Sequence, residues 1–190
     1  MIRSFIAVNL TDVLKSKIAD DISDLKTTLK NIKWINSQNL HITLKFLGNI
    51  PIENIPQIEE ILKDITSKIQ PFEIVLSGIG CFPNLKNPHV IWIGVSDNGR
   101  LNEISLEINS RLSEIGNVDH KFSPHLTIGR INNKIHSLQA EIERYNDISF
   151  GTNRINSITL MKSELHSKGA IYTEIKDFTL PHPAITMKPR

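Results

Sequence analysis

Apolar and polar residues alternate along two separate stretches of the chain, NLHITLKFLG and FSPHLTIGR. An alternation with period two that is rich in β-branched and aromatic residues predicts a half-buried strand. Because successive side chains of a strand point to opposite faces, His41 and Thr43 are expected on one face, with Ile42 on the core-facing side. The second stretch repeats this pattern, so the sequence predicts two strands that each carry an imidazole beside a hydroxyl.

The remaining strands and helices follow from the same kind of periodicity. Further strands are predicted at residues 2–9, 71–84, 88–96, 154–165 and 169–178. Apolar residues at helical spacing predict helices from Thr11 or Asp12 to Leu29, from about Glu53 to Ile69, from Leu101 to Ile115 and from Lys134 to Tyr145. A loop containing Trp34 is expected before the first His-x-Thr strand, and Gly48 to Pro51 is expected to end that strand.

The order of these elements repeats once along the chain. A helix, a His-x-Thr strand, a helix and a pair of strands are followed by the same series of elements. The repeat predicts an α+β fold of two lobes related by a pseudo-twofold axis, each an antiparallel sheet with helices on its outer face. The two sheets would face a central cleft lined by the two motifs, which is a common place for a functional site. The whole chain, residues 1–190, is expected to form this single bilobal domain.

The charge of the chain limits the partners it would bind. A formal net charge of +2 is too small for a broad surface that binds polyanions, although Lys26, Lys30 and Lys33 could attract phosphate locally. This charge suits a short RNA end or a nucleotide better than long duplex nucleic acid. Cys81 is the only cysteine, so no internal disulfide can form and a cytoplasmic location is natural.

The N-terminal segment MIRSFIAVNL is apolar but short, contains Arg3 and Asn9, and leads directly into a polar helix. It is therefore interpreted as a first strand and not as a signal peptide. No run approaches the roughly 20 apolar residues that cross a bilayer. We expect no association with a membrane.

The two His-x-Thr motifs carry the chemistry that the sequence indicates. Two imidazoles across one cleft can act as a general acid and a general base, because an unperturbed histidine pKa near ~6.5 allows one charged and one neutral ring near neutral pH. The threonine hydroxyls could donate hydrogen bonds to an anionic centre between the rings. A phosphodiester fits, since water attacks from one side while an alkoxide leaves from the other. The motif symmetry alone leaves open which histidine is the acid.

Each of these residues also has a simpler structural interpretation. A lone His-x-Thr in a strand is usually an edge histidine with a local hydrogen bond, but two copies in matching settings favour a functional pair. Neither motif has a carboxylate or cysteine at a recognisable metal-ligand spacing, so no metal and no cofactor are expected. Trp34 and Trp92 could stack on a base, although Trp92 in its apolar strand is more simply a core residue.

At this point the chain resembles a known family, the two-histidine (2H) phosphoesterases, and specifically the RNA 2′,3′-cyclic phosphodiesterases historically called 2′-5′ RNA ligases. The similarity extends over residues 2–180. Besides the two motif strands it includes the segments RSFIAV, GCFPN, PHVIWIGV, LMKSEL and GAIYTEI. The resemblance implies metal-independent opening of a 2′,3′-cyclic phosphate at an RNA end to give a 2′-phosphate.

The resemblance also implies a role for each residue of the motifs. His41 would be the proton donor to the departing 3′-oxygen, and His125 the acceptor that activates water. Thr43 and Thr127 would hold the phosphate oxygens. Arg130 corresponds to the basic residue that follows the second motif in the family and could supply charge at the cleft.

Two positions depart from the family pattern, and several residues have a weaker expectation. His89 stands where the family often has arginine, and Ala170 stands where proline is frequent. Phe46 could line the nucleotide pocket or belong to the core. His120 could reach the cleft because it lies near the second motif. The surface is the simplest place for the remaining histidines, His136, His166 and His182.

The leading hypothesis is therefore a cyclic phosphodiesterase, expected to act as a monomer on RNA ends or nucleotides that carry a 2′,3′-cyclic phosphate. The reverse reaction, 2′-5′ ligation of RNA ends, uses the same groups and stays open. The alternative is a module that binds nucleotides or RNA ends on the same scaffold with little catalysis. Alanine at either motif histidine would leave the affinity of such a module largely intact.

Overall fold

The computed structural model describes residues 1–116, 122–131, 138–166 and 169–182 of the chain. Its strands are β1 (Ile2–Asn9), β2 (Lys33–Trp34), β3 (His41–Ile50), β4 (Phe72–Phe82), β5 (Val90–Ser96), β6 (His125–Arg130), β7 (Ser149–Ile155), β8 (Ser157–His166) and β9 (Gly169–Thr179). Its α-helices are α1 (Asp12–Asp21), α2 (Ser23–Thr28), α3 (Ile55–Thr66), α4 (Arg100–Arg111) and α5 (Gln139–Glu143). Short 3-10 turns at Ser37–Asn39 and Ile52–Asn54 precede β3 and α3.

The strands form two antiparallel sheets, which confirms the predicted α+β class. The first sheet has the strand order β3-β1-β8-β9, and the second has the order β2-β6-β5-β4-β7. Each sheet therefore contains one His-x-Thr strand. The pair β4 and β5, which follows the first motif along the chain, joins the sheet of the second motif, while β8 and β9 join the sheet of the first. This exchange ties the two halves of the repeat together.

The apolar face of each motif strand is packed into the core. Ile42 and Leu126 are fully buried, and Leu44 and Ile128 are buried one step further along their strands. Helices α3 and α4 pack against the first sheet and α1 packs against β7 of the second. Burial of alternate residues fixes the register of a strand, because a shift of one residue would turn its apolar side chains to the solvent. The polar face of each motif strand is thereby held towards the interior of the cleft.

The predicted boundaries near the first motif are confirmed for the strand but not for the helix before it. The first helix is broken at Ile22, where α1 ends and α2 begins. The strand β3 ends at Ile50, within the predicted stretch from Gly48 to Pro51. Gly48 has a φ of +69° at a bulge opposite Ser4, and glycine adopts this conformation without a steric penalty, so the pairing with β1 resumes beyond it.

Two strands were missed at the sequence level. Trp34 was predicted to lie in a loop, yet Lys33 and Trp34 form β2 and pair with the end of β6. The strand β7 contains Gly151 and the buried Asn153, which are unusual in a strand. Asn153 accepts a hydrogen bond from the backbone N–H of Thr11 through its Oδ1 (3.0 Å), a long-range contact that local patterns do not reveal.

The predicted third and fourth helices are shorter than expected. The third, α4, ends at Arg111. The fourth, α5, begins at Gln139 within the described residues, while the predicted start at Lys134 lies outside them. Among the helices described, none has the length and apolar character required to cross a membrane.

Candidate active site

A cavity of about 900 Å³ lies where the two motif strands approach each other. The strand β3 contributes His41 and Thr43 to its wall, and β6 contributes His125 and Thr127. All four side chains are partly buried, in contrast to their fully buried apolar neighbours. The two imidazole and hydroxyl pairs that the sequence places on separate strands thus line one cavity.

The two imidazoles are held by equivalent hydrogen bonds. Nδ1 of His41 donates to the backbone carbonyl of Asn39 at 2.7 Å, and Nδ1 of His125 donates to the carbonyl of Ser123, also at 2.7 Å. In each case the acceptor lies two residues before the histidine. A carbonyl can only accept, so the neutral ring carries its proton on Nδ1 and leaves Nε2 available to the cavity. This arrangement orients both rings in the same way for proton transfer.

Aromatic side chains support both imidazoles. The ring of His41 lies 4.8 Å from that of Phe5 and 5.2 Å from that of Tyr172, which it meets at 89°. The ring of His125 meets that of Phe82 at 88°, with centroids 5.0 Å apart. These contacts restrict the rotation of the rings and shield them from water.

The environment lowers the pKa of both histidines. Burial is the main cause for His41, whose pKa falls from 6.5 to about 4, with smaller contributions from the positive charges of Lys15 and Arg130. Burial also lowers the pKa of His125, and Arg130 acts in the same direction. The combination of one charged and one neutral ring, which unperturbed histidines would allow near pH 7, is therefore absent from the unliganded cavity. Both rings are neutral near pH 7 because desolvation disfavours the charged form.

The charge on the cavity wall has one sign. Arg3, Lys33 and Arg130 line the cavity, while no aspartate or glutamate is found among its described lining residues. The chain as a whole carries 22 basic and 20 acidic residues, so this imbalance is local. A cavity lined by one sign of charge attracts ligands of the opposite sign. The site is suited to an anion.

The other predicted site residues reach the same cavity at its rim. Arg130 is exposed at the end of β6, and Phe46 is 48% exposed on β3 with its ring centroid 6.4 Å from that of Phe5. Of the predicted lysine cluster, only Lys33 is part of the cavity wall.

The remaining histidines divide into two groups. His89 and His182 are exposed and do not line the cavity, and Nε2 of His89 lies 3.3 Å from Nδ2 of Asn87. His166 is also exposed, as predicted, but it lies at the cavity rim. His120 and His136 lie outside the described residues.

Cys81 and Trp92 are packed among other side chains and have a structural role. Cys81 is buried, and burial raises the pKa of its thiol to about 11, so the thiol stays protonated and unreactive. The ring of Trp92 lies over Gly80, where an added Cβ would come within 2.3 Å of it, and packs against Phe82. Trp92 therefore stands behind the aromatic support of the second imidazole.

Sequence reasoning missed Tyr172 and Phe82 as parts of the site. Both lie in segments that carry the family resemblance, GAIYTEI and GCFPN, but neither segment has a polar pattern that signals chemistry. Asn39 was missed as well. Its carbonyl holds His41, and its Nδ2 donates to the carbonyl of Ala170 on β9 at 2.9 Å. An asparagine at the end of a short 3-10 turn gives no sequence signal for this role.

Within the described parts of the chain, no group of three or more His, Cys, Asp or Glu side chains is arranged to hold a metal ion. The two motifs supply the cavity with two imidazoles and two hydroxyls, and cations lie around them. Such a set can move one proton on each side of a bound phosphodiester while donors hold its other oxygens. Two histidine motifs on two sheets facing one cavity define a phosphoesterase of the two-histidine class.

Comparison with known proteins leads to the same class and to a particular family. The family model for LigT-like phosphoesterases matches residues 13–92. The chain is 41% identical over 180 residues to the RNA 2′,3′-cyclic phosphodiesterase of Methanocaldococcus jannaschii, covering 93% of this chain and 99% of that protein. It is 35% identical over 177 residues to the enzyme of the same name from Archaeoglobus fulgidus, with the same coverage of both chains. The chain belongs to the LigT-like, two-histidine phosphoesterase family.

Solved structures share the fold. A crystal structure of a Thermus thermophilus protein superposes with a TM-score of 0.81 and 26% identity, covering 94% of this chain and 97% of that one. Escherichia coli LigT complexed with 3′-AMP superposes with a TM-score of 0.74 and 21% identity, covering 94% and 98%. The second likeness shows the fold alone.

Proposed function

We propose that this chain hydrolyses the 2′,3′-cyclic phosphate of an RNA end or nucleotide to a 2′-phosphate, through acid and base catalysis by two histidines. One observation carries the proposal: His41 and His125 line the same cation-rich cavity with equivalent Nδ1 hydrogen bonds, which leave Nε2 of each ring available. Two relatives that match nearly the whole chain are named RNA 2′,3′-cyclic phosphodiesterase, and this supports the choice of substrate.

The reaction divides between the two rings. Nε2 of His125 accepts a proton from water as the water oxygen attacks phosphorus. The bond between phosphorus and the 3′-oxygen breaks, and Nε2 of His41 donates a proton to the departing oxygen. The product carries a 2′-phosphate and a 3′-hydroxyl, while His125 has gained the proton that His41 lost. Exchange with solvent restores both rings. Each well-placed proton transfer contributes roughly 100- to 10,000-fold in rate.

The remaining side chains stabilise the phosphate. Thr43 and Thr127 stand two residues beyond the histidines on the same strand faces, where their hydroxyls can donate to the non-bridging oxygens. Arg130 supplies a positive charge near both rings, since it lowers the pKa of each. Phe46 at the rim offers an apolar surface to the nucleoside.

His41 can act as the general acid only if its pKa rises when substrate binds. A general acid must carry a proton, and the unliganded His41 is neutral because it is buried and close to Lys15 and Arg130. A cyclic phosphodiester brings one negative charge into the cavity. This charge offsets the nearby cations and favours the protonated ring, so binding of substrate raises the pKa of His41.

The decisive experiment measures turnover of 2′,3′-cyclic AMP and of a short RNA with a cyclic phosphate end, in the presence of EDTA. We expect conversion to the 2′-phosphate, identified by ³¹P NMR, and loss of turnover in His41→Ala and His125→Ala. His182→Ala is the matched control, because His182 is exposed and outside the cavity wall. The two active-site variants must keep the far-UV circular dichroism of the parent.

Each alternative gives a different result. Activity that EDTA abolishes and a divalent ion restores would overturn the metal-free mechanism. A folded parent that binds the RNA end without turning it over, with affinity retained in both alanine variants, would favour the binding module. Incubation of RNA ends bearing a cyclic phosphate with RNA bearing a 5′-hydroxyl tests the reverse reaction, whose product is a 2′-5′ linkage.

A further inference from the structure

A second pocket, the side pocket, adjoins the cavity of the candidate active site and has a volume of about 410 Å³. Seven residues line both spaces, among them Lys33, Asn39 and Tyr172, so the two spaces are continuous. Beyond them the side pocket is lined by three residues that the cavity does not include: Trp34, Asn36 and Ile171. A ligand that fills the cavity can therefore continue into the side pocket past the His41 side of the site.

The walls of the side pocket suit a planar ring. Trp34 pairs with Gly129 across β2 and β6, and a Cβ on Gly129 would lie 3.2 Å from the indole, so the indole packs closely on this backbone. Tyr172 is held by its edge-to-face contact with His41. Ile171 is 53% exposed and adds an aliphatic surface. Aromatic side chains fixed in this way are the usual stacking partners of unpaired bases.

The polar groups of the side pocket suit a phosphate and a base edge. Lys33 is exposed, belongs to the walls of both spaces, and forms no ion pair with a carboxylate among the described residues. Asn36 accepts a hydrogen bond from the backbone N–H of Gln38 through Oδ1 (3.1 Å), and a side-chain amide also has two N–H groups that can donate to a ligand. No acidic side chain is found among the described residues that line the side pocket.

We propose that the side pocket is a second nucleotide subsite, which holds the nucleotide preceding the one that carries the cyclic phosphate. The preferred substrate is then an RNA strand and not a free cyclic mononucleotide. This inference rests on the proposed function. The nucleoside that carries the cyclic phosphate lies in the cavity when that phosphate is between His41 and His125. The rest of the RNA strand is joined to this nucleoside by the phosphodiester at its 5′-oxygen. Lys33 stands where the two spaces meet and can contact this linking phosphate.

The experiment compares two substrates on the same protein: 2′,3′-cyclic AMP and the dinucleotide ApA ending in a 2′,3′-cyclic phosphate. We expect kcat/KM to be about tenfold or more higher for the dinucleotide, as stacking of one additional base provides. Turnover of the mononucleotide reports the proposed function by itself. The ratio of the two kcat/KM values reports the subsite, so the two proposals fail separately.

Three substitutions act on the side pocket and one matched substitution does not. Trp34→Leu removes the aromatic face, Lys33→Gln removes the cation, and Ile171→Asp places a negative charge on an exposed position that the fold does not need. Trp34→Leu and Ile171→Asp are expected to lower kcat/KM for the dinucleotide and to leave kcat/KM for the mononucleotide unchanged. Lys33 also lines the active-site cavity, so Lys33→Gln is expected to lower kcat/KM for both substrates, and more for the dinucleotide. Lys30→Gln removes an exposed lysine that lines neither space, so we expect kcat/KM to stay unchanged for both substrates.

Lys33→Gln should also weaken the salt dependence of kcat/KM for the dinucleotide, because one phosphate contact is lost. Equal kcat/KM for the two substrates in the parent would overturn the subsite. A loss in Trp34→Leu that is the same for both substrates would also overturn it, and would place the terminal base in the side pocket. If Trp34→Leu does not fold, Ile171→Asp and Lys33→Gln decide the question.

Discussion

The ring of Tyr172 meets the ring of His41 edge to face at 5.2 Å, although the two residues lie on opposite edges of one sheet. β1 and β8 separate their strands, and a flat sheet with a strand spacing of about 4.8 Å would hold the two strands about 14 Å apart. The contact therefore requires the sheet to curl around the imidazole. Phe5 on β1 lies between the two rings, 4.8 Å from His41 and 5.1 Å from Tyr172. The curl of the sheet encloses His41.

Removal of the Tyr172 ring should raise the pKa of His41. In Tyr172→Ala, water reaches the imidazole, and the desolvation that holds its pKa at about 4 becomes weaker. We expect the pKa to move towards 6.5 and kcat to fall, because the ring is also less well oriented. NMR titration of the imidazole resonances measures the pKa directly.

Two controls accompany this titration. Tyr172→Phe keeps the ring and should leave the pKa of His41 where it is in the parent. Phe82→Ala removes the equivalent support of the other imidazole and should raise the pKa of His125 instead. An unchanged His41 pKa in Tyr172→Ala would mean that other residues exclude water from this ring.

The buried neutral His41 should also make the stability of the fold depend on pH. Between pH 6.5 and about 4 the unfolded chain binds a proton at this position and the folded chain does not. The free energy of unfolding therefore rises with pH in this window, and the contribution of His41 is lost as the pH falls. The loss of this contribution lowers the free energy of unfolding by about 2 kcal/mol between pH 7 and pH 5. Urea denaturation at the two pH values measures it.

The comparison variant for this measurement is His41→Gln, which has no group that titrates in the window. We expect its free energy of unfolding to fall by less than that of the parent between the same two pH values. Parallel pH dependence in the two proteins would show that His41 titrates normally in the folded state.

The sequence predicts which residues form the polar face of each motif strand. Because side chains alternate strictly along a strand, burial of the apolar residues places the histidine and threonine on the opposite face. Ile42 and Leu126 are buried where the alternation places them. The pKa values could not be predicted in the same way. The pKa of His41 depends on Tyr172 and Lys15, which are distant in sequence and reach the ring through the curl of the sheet and the packing of α1.

The local sequence pattern also could not predict which strands belong to which sheet. The repeat of elements predicts two antiparallel sheets, but it does not reveal that β4 and β5 join the sheet of β6. Strand β7 escaped detection because Asn153 is buried for its hydrogen bonds to the start of α1, and a buried polar residue has no periodic signature. Local patterns specify faces, whereas pairing between strands is decided by tertiary contacts.

The pH dependence of catalysis should differ between kcat/KM and kcat. The reaction requires His41 protonated and His125 neutral, and the free protein has both pKa values below 6.5. The profile of kcat/KM reports the free protein, so its maximum is expected below pH 6.5. The profile of kcat reports the complex, in which the phosphodiester raises the pKa of His41. Its maximum should therefore lie at a higher pH. Coincident maxima would contradict a charge effect of the substrate.

Asn39 should act as a positioning residue for His41. Its backbone carbonyl accepts the Nδ1 proton of His41, and its side chain ties the same turn to Ala170 on β9. In Asn39→Ala the carbonyl is no longer anchored to β9, so the imidazole can shift relative to the phosphate. A shift on the order of 1 Å costs up to about 100-fold in rate. We expect kcat for 2′,3′-cyclic AMP to fall by at least about tenfold, with a smaller change in KM.

The stability of Asn39→Ala separates positioning from unfolding. Loss of one partly buried hydrogen bond should lower the free energy of unfolding by only about 1 kcal/mol, which leaves the protein folded at the assay temperature. Asn87→Ala is the control, since Asn87 is exposed beside His89 and away from the cavity wall. If kcat in Asn39→Ala stays at the parental value while the NMR titration of His41 is unchanged, the carbonyl holds its position without the bond to β9. A fall in kcat with normal stability assigns the loss to the orientation of His41, because the proton-donating ring itself is still present.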